Sequence, residues 1–431
     1  MQGTVFGSLI CTAVMDKLAK VFYGSENLLY RYKNSVKVPV LGMVDDVLSV
    51  AKCSSASVVT NATVNSFMEI NKLKLNHKKC GKIHIGKKSI QCPSLKVHEL
   101  DMKDSNVEKY LGDIISSKGT LDETIKDRKL KGYSYISEIR ALLSDMPFGH
   151  RRIEVGIMLR DAMFVNGILT NSEVWHSITN KNIEDLEVMD RMLLRYILGA
   201  HAKVQTEFLY LETGATPLKQ VITSRRLMYL QAILKRPHTE LVRKVFEAQK
   251  ENPVKGDWSE QVKEDLEIIG MVGKENDIEA MSKSQFKAEV RHRISEYVFK
   301  MLKEKQLTHI KVRHIQYDKL AMQNYLKSHM LNNHEASLLF SLRSKSTREF
   351  RANFPYYIDQ QCVMGCPELD TPEHCIECVK LNPKEAQDIN YEDLFSESFE
   401  KQVAITKLFS SLLERREDAS ALHTGLSHGP L

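Results

Sequence analysis

Pro39-Val40-Leu41-Gly42-Met43-Val44-Asp45-Asp46-Val47-Leu48-Ser49-Val50 sets two adjacent carboxylates between two runs of β-forming apolar residues. The alternation reads as a hairpin over Val38 to Val50 with the acids at its turn. An ordinary hairpin accounts for turn aspartates, since that side chain favours turns. A buried pair is harder to explain, because neighbouring carboxylates about 4 Å apart repel by roughly 1 kcal/mol in water and by several times more in a drier place. A divalent cation removes that cost. Hard oxygen ligands suit magnesium, and two magnesium ions roughly 4 Å apart can activate a hydroxyl and steady a leaving pyrophosphate. Asp45 and Asp46 are therefore the candidate catalytic and magnesium-binding residues.

Outward from the hairpin, residues 1 to about 115 read as an α+β unit. Helices are expected over Leu9–Val21 and Val58–Asn71, and strands over Lys82–Ile85 and Tyr110–Ser116. From Thr124 to about Arg236 the pattern turns to amphipathic helices, with Ile153, Ile157, Phe164 and Ile168 at helical spacing and breaks at Pro147, Gly199 and Thr213–Pro217. Lys250–Ser284 is polar and reads as a linker carrying one short helix over Trp258–Ile269. A basic stretch from Ala336 to Tyr357 leads into a Cys/His cluster. Gln402–Arg416 closes the pattern as an amphipathic helix with Val403, Ile405, Leu408 and Leu412 in register.

The segments around the hairpin resemble, in order, the palm motifs of non-LTR (LINE-type) retrotransposon reverse transcriptases. Gln2-Gly3-Thr4-Val5-Phe6-Gly7-Ser8-Leu9 is similar to the motif ahead of the palm helix. Val44-Asp45-Asp46 is similar to the aromatic-x-Asp-Asp element, with Met43 in place of the commoner aromatic residue. Leu75-Asn76-His77-Lys78-Lys79-Cys80 resembles the lysine-bearing motif, and Tyr110-Leu111-Gly112 the primer grip. The likeness continues through Leu169–His176, Leu193–Gly199 and Phe208–Gly214, which resemble the helical thumb.

This resemblance implies RNA-directed DNA polymerase chemistry on an RNA template and a DNA primer or target. It implies that Gln2 and Gly3 contact the templating pair, that Lys79 sits near the triphosphate, and that Tyr110 and Gly112 border the primer end. It also implies that a further catalytic aspartate belongs upstream of Gln2. Asp16, the one acid in the first 25 residues, lies within an apolar helical pattern and substitutes poorly. The chain alone is therefore expected to be inactive as a polymerase. The alternative is a non-catalytic nucleic-acid-binding protein that uses the basic thumb and the Cys/His element.

Cys362, Cys366, His374 and Cys378 follow a C-x3-C-x7-H-x3-C pattern. Three thiolates and an imidazole make a closed tetrahedral zinc set, and Gly365 and Pro367 supply the turn. Cys375, next to His374, competes for a ligand position and leaves the assignment open. The element resembles the C-terminal Cys-Cys-His-Cys motif of the same family, with Arg343, Lys345, Arg348 and Arg351 around it as nucleic-acid contacts.

Bulk properties agree with a folded protein: 42% hydrophobic and 27% charged residues lie near globular averages. The net charge of +6 is modest but unevenly spread. Lys72–Lys96 holds eight lysines and no acid, and Arg291–Lys327 holds nine Lys and Arg against three acids. Such runs serve nucleic acid only where a motif places them beside a channel. The start has no basic leader and its apolar run is broken by Asp16, Lys17 and Lys20, so neither export nor a membrane span is expected. A nuclear or cytoplasmic setting follows, as does metal rather than disulfide use of the four cysteines between 362 and 378.

The expected architecture is α+β: an incomplete reverse-transcriptase palm (1–120), a helical thumb or connection (121–249), a linker and helical region (250–335), a basic segment with a zinc-binding element (336–385), and a C-terminal helix and tail (386–431).

Overall fold

A computed structural model of the chain describes residues 5–85, 93–146, 151–327, 329–381 and 389–424. Helix makes up 57% of it, and the strands are short, so the α+β class holds. The chain folds as two compact units that interleave along the sequence: 1–127 with 171–182 and 223–288, and 128–170 with 183–222 and 289–431.

In the first unit, the helix Val5–Tyr23 packs on the strand Leu41–Met43. Leu18, Phe22, Leu28, Val40 and Met68 form a core, with Val47, Val64, Phe67 and Leu75 against it. Met68 and its neighbours come from the helix Ser54–Ile70. The expected hairpin over Val38–Val50 is shorter: Leu41–Met43 pairs with Asp46–Leu48, while Val36–Val38 pairs back onto Tyr30–Tyr32. Pro39 explains the division, since it has no N–H to carry one ladder into the next. The strand expected over Tyr110–Ser116 is likewise a hairpin, Val107–Tyr110 against Asp113–Ser116. Leu111 and Gly112 form its two-residue turn at φ +47° and +92°, the backbone signature of a type I′ connection. The strand expected at Lys82–Ile85 is reduced to Gly81–Lys82. Among the described residues, every ladder is two-stranded.

The Lys250–Ser284 stretch is packed rather than a linker. Trp258, Val262, Leu266 and Ile269 recur at helical spacing, and all four are buried. Trp258 meets Tyr229 and Phe246 edge-on, each at 5.8 Å, and its Nε1–H donates to the Glu173 carbonyl at 2.8 Å. Asp265 accepts from the Thr223 hydroxyl at 2.7 Å and from Arg226 at 2.8 Å. A few large side chains at the right period outweigh a polar composition.

The second unit is helical and carries two buried polar networks. A π-helical turn, Arg160–Val165, interrupts the helix that runs from Arg152 to Ile168. Its first residue, Arg160, makes a two-pronged contact with Asp190 at 2.6 and 2.7 Å, and the Tyr210 hydroxyl donates to the same carboxylate at 3.0 Å. The second network centres on Glu212, fully buried in the helix Thr206–Thr213. Its carboxylate accepts from the Tyr317 and Tyr325 hydroxyls and from Arg343. Just beyond, Gly214 sits at φ +66°, and a Cβ there would lie 2.4 Å from the Met322 backbone nitrogen. Both the left-handed backbone and the close approach demand glycine. The final helix, Phe399–Thr424, extends past the expected Gln402–Arg416 and buries Val403, Ile405, Phe409 and Leu412. No described helix is long and apolar enough to cross a membrane.

Candidate metal centre

The Cys/His element is built from a short bridged loop and one helical turn. Gln361 bridges Leu369, the Cys362 N–H donates to the Glu368 carbonyl at 2.9 Å, and the Asp370 N–H donates to the Gln360 carbonyl at 2.8 Å. This closes the loop that carries Cys362 and Cys366. Gly365, at φ +74°, turns the chain between them, and the Lys380 ammonium donates to the Met364 carbonyl at 2.7 Å. Thr371 then caps the helix Pro372–Glu377 by accepting from the His374 N–H, with Pro372 in the first turn where its missing donor costs nothing. His374 lies in that first turn and Cys378 follows the last residue, so a four-residue step places both on one side.

The four ligand atoms lie within 4.8 Å of one another. Cys366 Sγ and Cys378 Sγ are 3.7 Å apart, close to the edge of about 3.8 Å expected for a tetrahedron with zinc–sulfur bonds of about 2.3 Å. His374 Nε2 is buried without a hydrogen-bond partner, which a metal bond would satisfy. Loss of water, and then the neighbouring Cys378 and Cys362 thiols, push the Cys366 thiol up to about 11. Donor chemistry, spacing and the orphaned imidazole nitrogen all fit zinc, and Cys362, Cys366, His374 and Cys378 are the residues that would hold it.

Cys375 stands outside this set. It is buried, and loss of water pushes its thiol up to about 12, so it packs as a small apolar side chain. The geometry thus closes the choice that spacing left open. Among the described residues, no other group of three or more His, Cys, Asp or Glu side chains is arranged to hold a metal ion.

Two residues that spacing did not flag anchor the element. Asp370 and Arg416, both buried, pair through two contacts at 2.6 and 2.7 Å, and Asp370 also accepts from the Arg351 N–H at 2.9 Å. Arg416 lies on the final helix, with its guanidinium 5.0 Å from the Phe350 ring. Forty-six positions separate the partners, so no local pattern announces them.

Asp45 and Asp46 occupy the tip of their hairpin and are exposed. Val44, the first turn residue, sits at φ +56°, a placement that costs a β-branched side chain about 1–3 kcal/mol. Burial first, then the Asp46 carboxylate, raise the Tyr110 phenol above the ordinary range. Gly112 lies in the turn beyond it, where the Asn171 side chain donates to the Leu111 carbonyl at 2.9 Å. Lys79 ends the exposed turn His77–Lys79, and no ion pair among the described residues joins it to either aspartate. No third carboxylate among the described residues completes a magnesium site with Asp45 and Asp46. Gln2 and Gly3 lie outside the described residues.

Of the four expected nucleic-acid contacts, Arg343 is a correction. It is 4% exposed and engaged by Glu212 at 2.9 Å and by the Leu394 carbonyl at 2.7 Å. Burial alone would pull its guanidinium down, but the Glu212 carboxylate outweighs that and holds it charged. Lys345 pairs with Glu373 at 3.0 Å and Arg351 with Asp359 at 3.1 Å, while Arg348 is exposed. Compared with known proteins, the chain matches no family model, and no curated protein is significantly similar to it.

Proposed function

We propose that this chain is a nucleic-acid-binding polypeptide of LINE-type reverse-transcriptase ancestry, whose C-terminal element is ordered by zinc. The convergence of Cys362, Cys366, His374 and Cys378 carries this reading. The ordered motifs from Val44-Asp45-Asp46 to Phe208–Gly214 supply the ancestry. Zinc contributes folding free energy to the element, and cations around it meet phosphate.

The test is single-stranded RNA binding by the full chain, measured together with metal content. One zinc per chain is expected, with an affinity that falls steeply as salt rises and drops on chelation. Folded, reduced protein that holds no zinc, or that ignores RNA at low salt, would sink the proposal.

A second reading, polymerase chemistry at Asp45–Asp46, is favoured by one observation. A strained turn exposes both acids, and the Asp46 carboxylate acts on the Tyr110 phenol; strain of that kind gathers at functional sites. It requires a further carboxylate to hold magnesium.

A further inference from the structure

A different surface of the second unit gathers cations around exposed aromatic rings. Phe354 is buried, with Tyr356 stacked beside it at 5.3 Å between ring centres and 28° between planes. Tyr357 follows at 4.8 Å from Tyr356. Tyr356 and Tyr357 are 58% and 38% exposed, a costly display unless something covers the rings. His201 lies 5.1 Å from the Phe354 ring, the Lys203 ammonium 5.0 Å from the Tyr356 ring, and the Lys311 ammonium 5.9 Å from the Phe354 ring.

The charge on this surface is only partly compensated. Lys345 is paired with Glu373 at 3.0 Å and Arg351 with Asp359 at 3.1 Å. Neither Lys203 nor Arg348 has an ion-pair partner among the described residues. Loss of water, then Arg348, Lys203 and Lys311, hold the His201 imidazole below its ordinary value. Lys311 is lowered in the same way, first by loss of water and then by Lys203 and Lys345. Two unpaired cations that act on one imidazole beside exposed rings favour an anion.

Rings and cations together select the anion. A duplex hides its base faces, whereas a single strand offers each base for stacking and its phosphates to flanking cations. We propose that Tyr356 and Tyr357 form a stacking platform for single-stranded nucleic acid, with Lys203 and Arg348 receiving its backbone phosphates, while Lys311 is held beneath the platform by the Lys345 and Asn353 carbonyls. This rests on the reading of the chain as a nucleic-acid binder and gives that binder a location.

The experiment is fluorescence anisotropy of a labelled oligouridylate on the full, zinc-loaded chain, comparing wild type, Tyr356→Ala, Tyr356→Phe and the double variant Lys203→Ala/Arg348→Ala. Tyr356→Ala should weaken binding about tenfold, and Tyr356→Phe should stay close to wild type. The double variant should flatten the salt dependence by about 0.7 in log–log slope for each phosphate that is no longer neutralised. An abasic strand of equal length should bind more weakly, and poly-glutamate should compete poorly. Wild type that binds no RNA would overturn both this inference and the proposed function. Wild-type binding left unchanged by Tyr356→Ala, or an abasic strand held equally well, would overturn the platform alone. Equal competition by poly-glutamate would assign the surface to an acidic polypeptide instead and likewise overturn it.

Discussion

Glu212 shows how one side chain can organise a region. It is fully buried, accepts from two tyrosines and holds Arg343. A buried ion pair contributes modestly relative to a well-packed apolar replacement, but removal of one member strands the other charge. Glu212→Ala should therefore cost about 3–5 kcal/mol in urea unfolding. Glu212→Leu combined with Arg343→Met should lose clearly less than the sum of the single changes; strict additivity would show that the two side chains are not coupled. Sequence alone favours Arg343 as a phosphate contact because it opens the basic run Arg343-Ser344-Lys345. Its partner lies 131 positions away, beyond any local signal. Cys375 is the converse case: His374 and Cys378 are four residues apart and share a face, and the intervening thiol turns inward.

At the scale of elements, the Cys/His loop and the final helix form one assembly, joined by Asp370–Arg416 and by the edge-on contact of Phe350 with Phe409. Metal removal should therefore loosen more than the loop. Hydrogen exchange after chelation is expected to quicken over Gln360–Leu381 and in the part of the helix Phe399–Thr424 that faces it, while the helix Trp258–Ile268 keeps its protection. Uniform loss of protection throughout would mean that zinc supports the whole fold rather than this assembly. The helices Val5–Tyr23 and Ser54–Ile70 are legible from apolar periodicity to within four residues at each end, while the final helix runs eight residues past its expected end. The hairpins were less so, because Pro39 and the Leu111–Gly112 turn divide what alternation alone would leave continuous.

For the whole molecule, the excess of cations is small and its placement matters more. Lys203 and Arg348, 145 positions apart, both act on the His201 imidazole, whereas in the 72–96 run the described Lys82 is paired with Asp104 at 3.3 Å. Polymerase activity is the matching test for the aspartate hairpin. Purified chain with magnesium, a poly(A) template and an oligo(dT) primer should give no extension, because no third carboxylate among the described residues joins Asp45 and Asp46. Robust extension abolished by Asp45→Asn would establish the polymerase reading.

Sequence by itself determined the α+β class, the main helices, the Cys/His residue types of a candidate metal site, and the position of two aspartates at a tight turn. These are local properties, written in periodicity, turn chemistry and short spacings. Tertiary structure alone decided that Cys375 is excluded from the ligand set, that Arg343 is interior, that 250–284 is packed, and that Tyr356 meets Lys203. Each of those depends on which distant side chain supplies a countercharge, a ring or cover from water, and chain order does not encode such proximity.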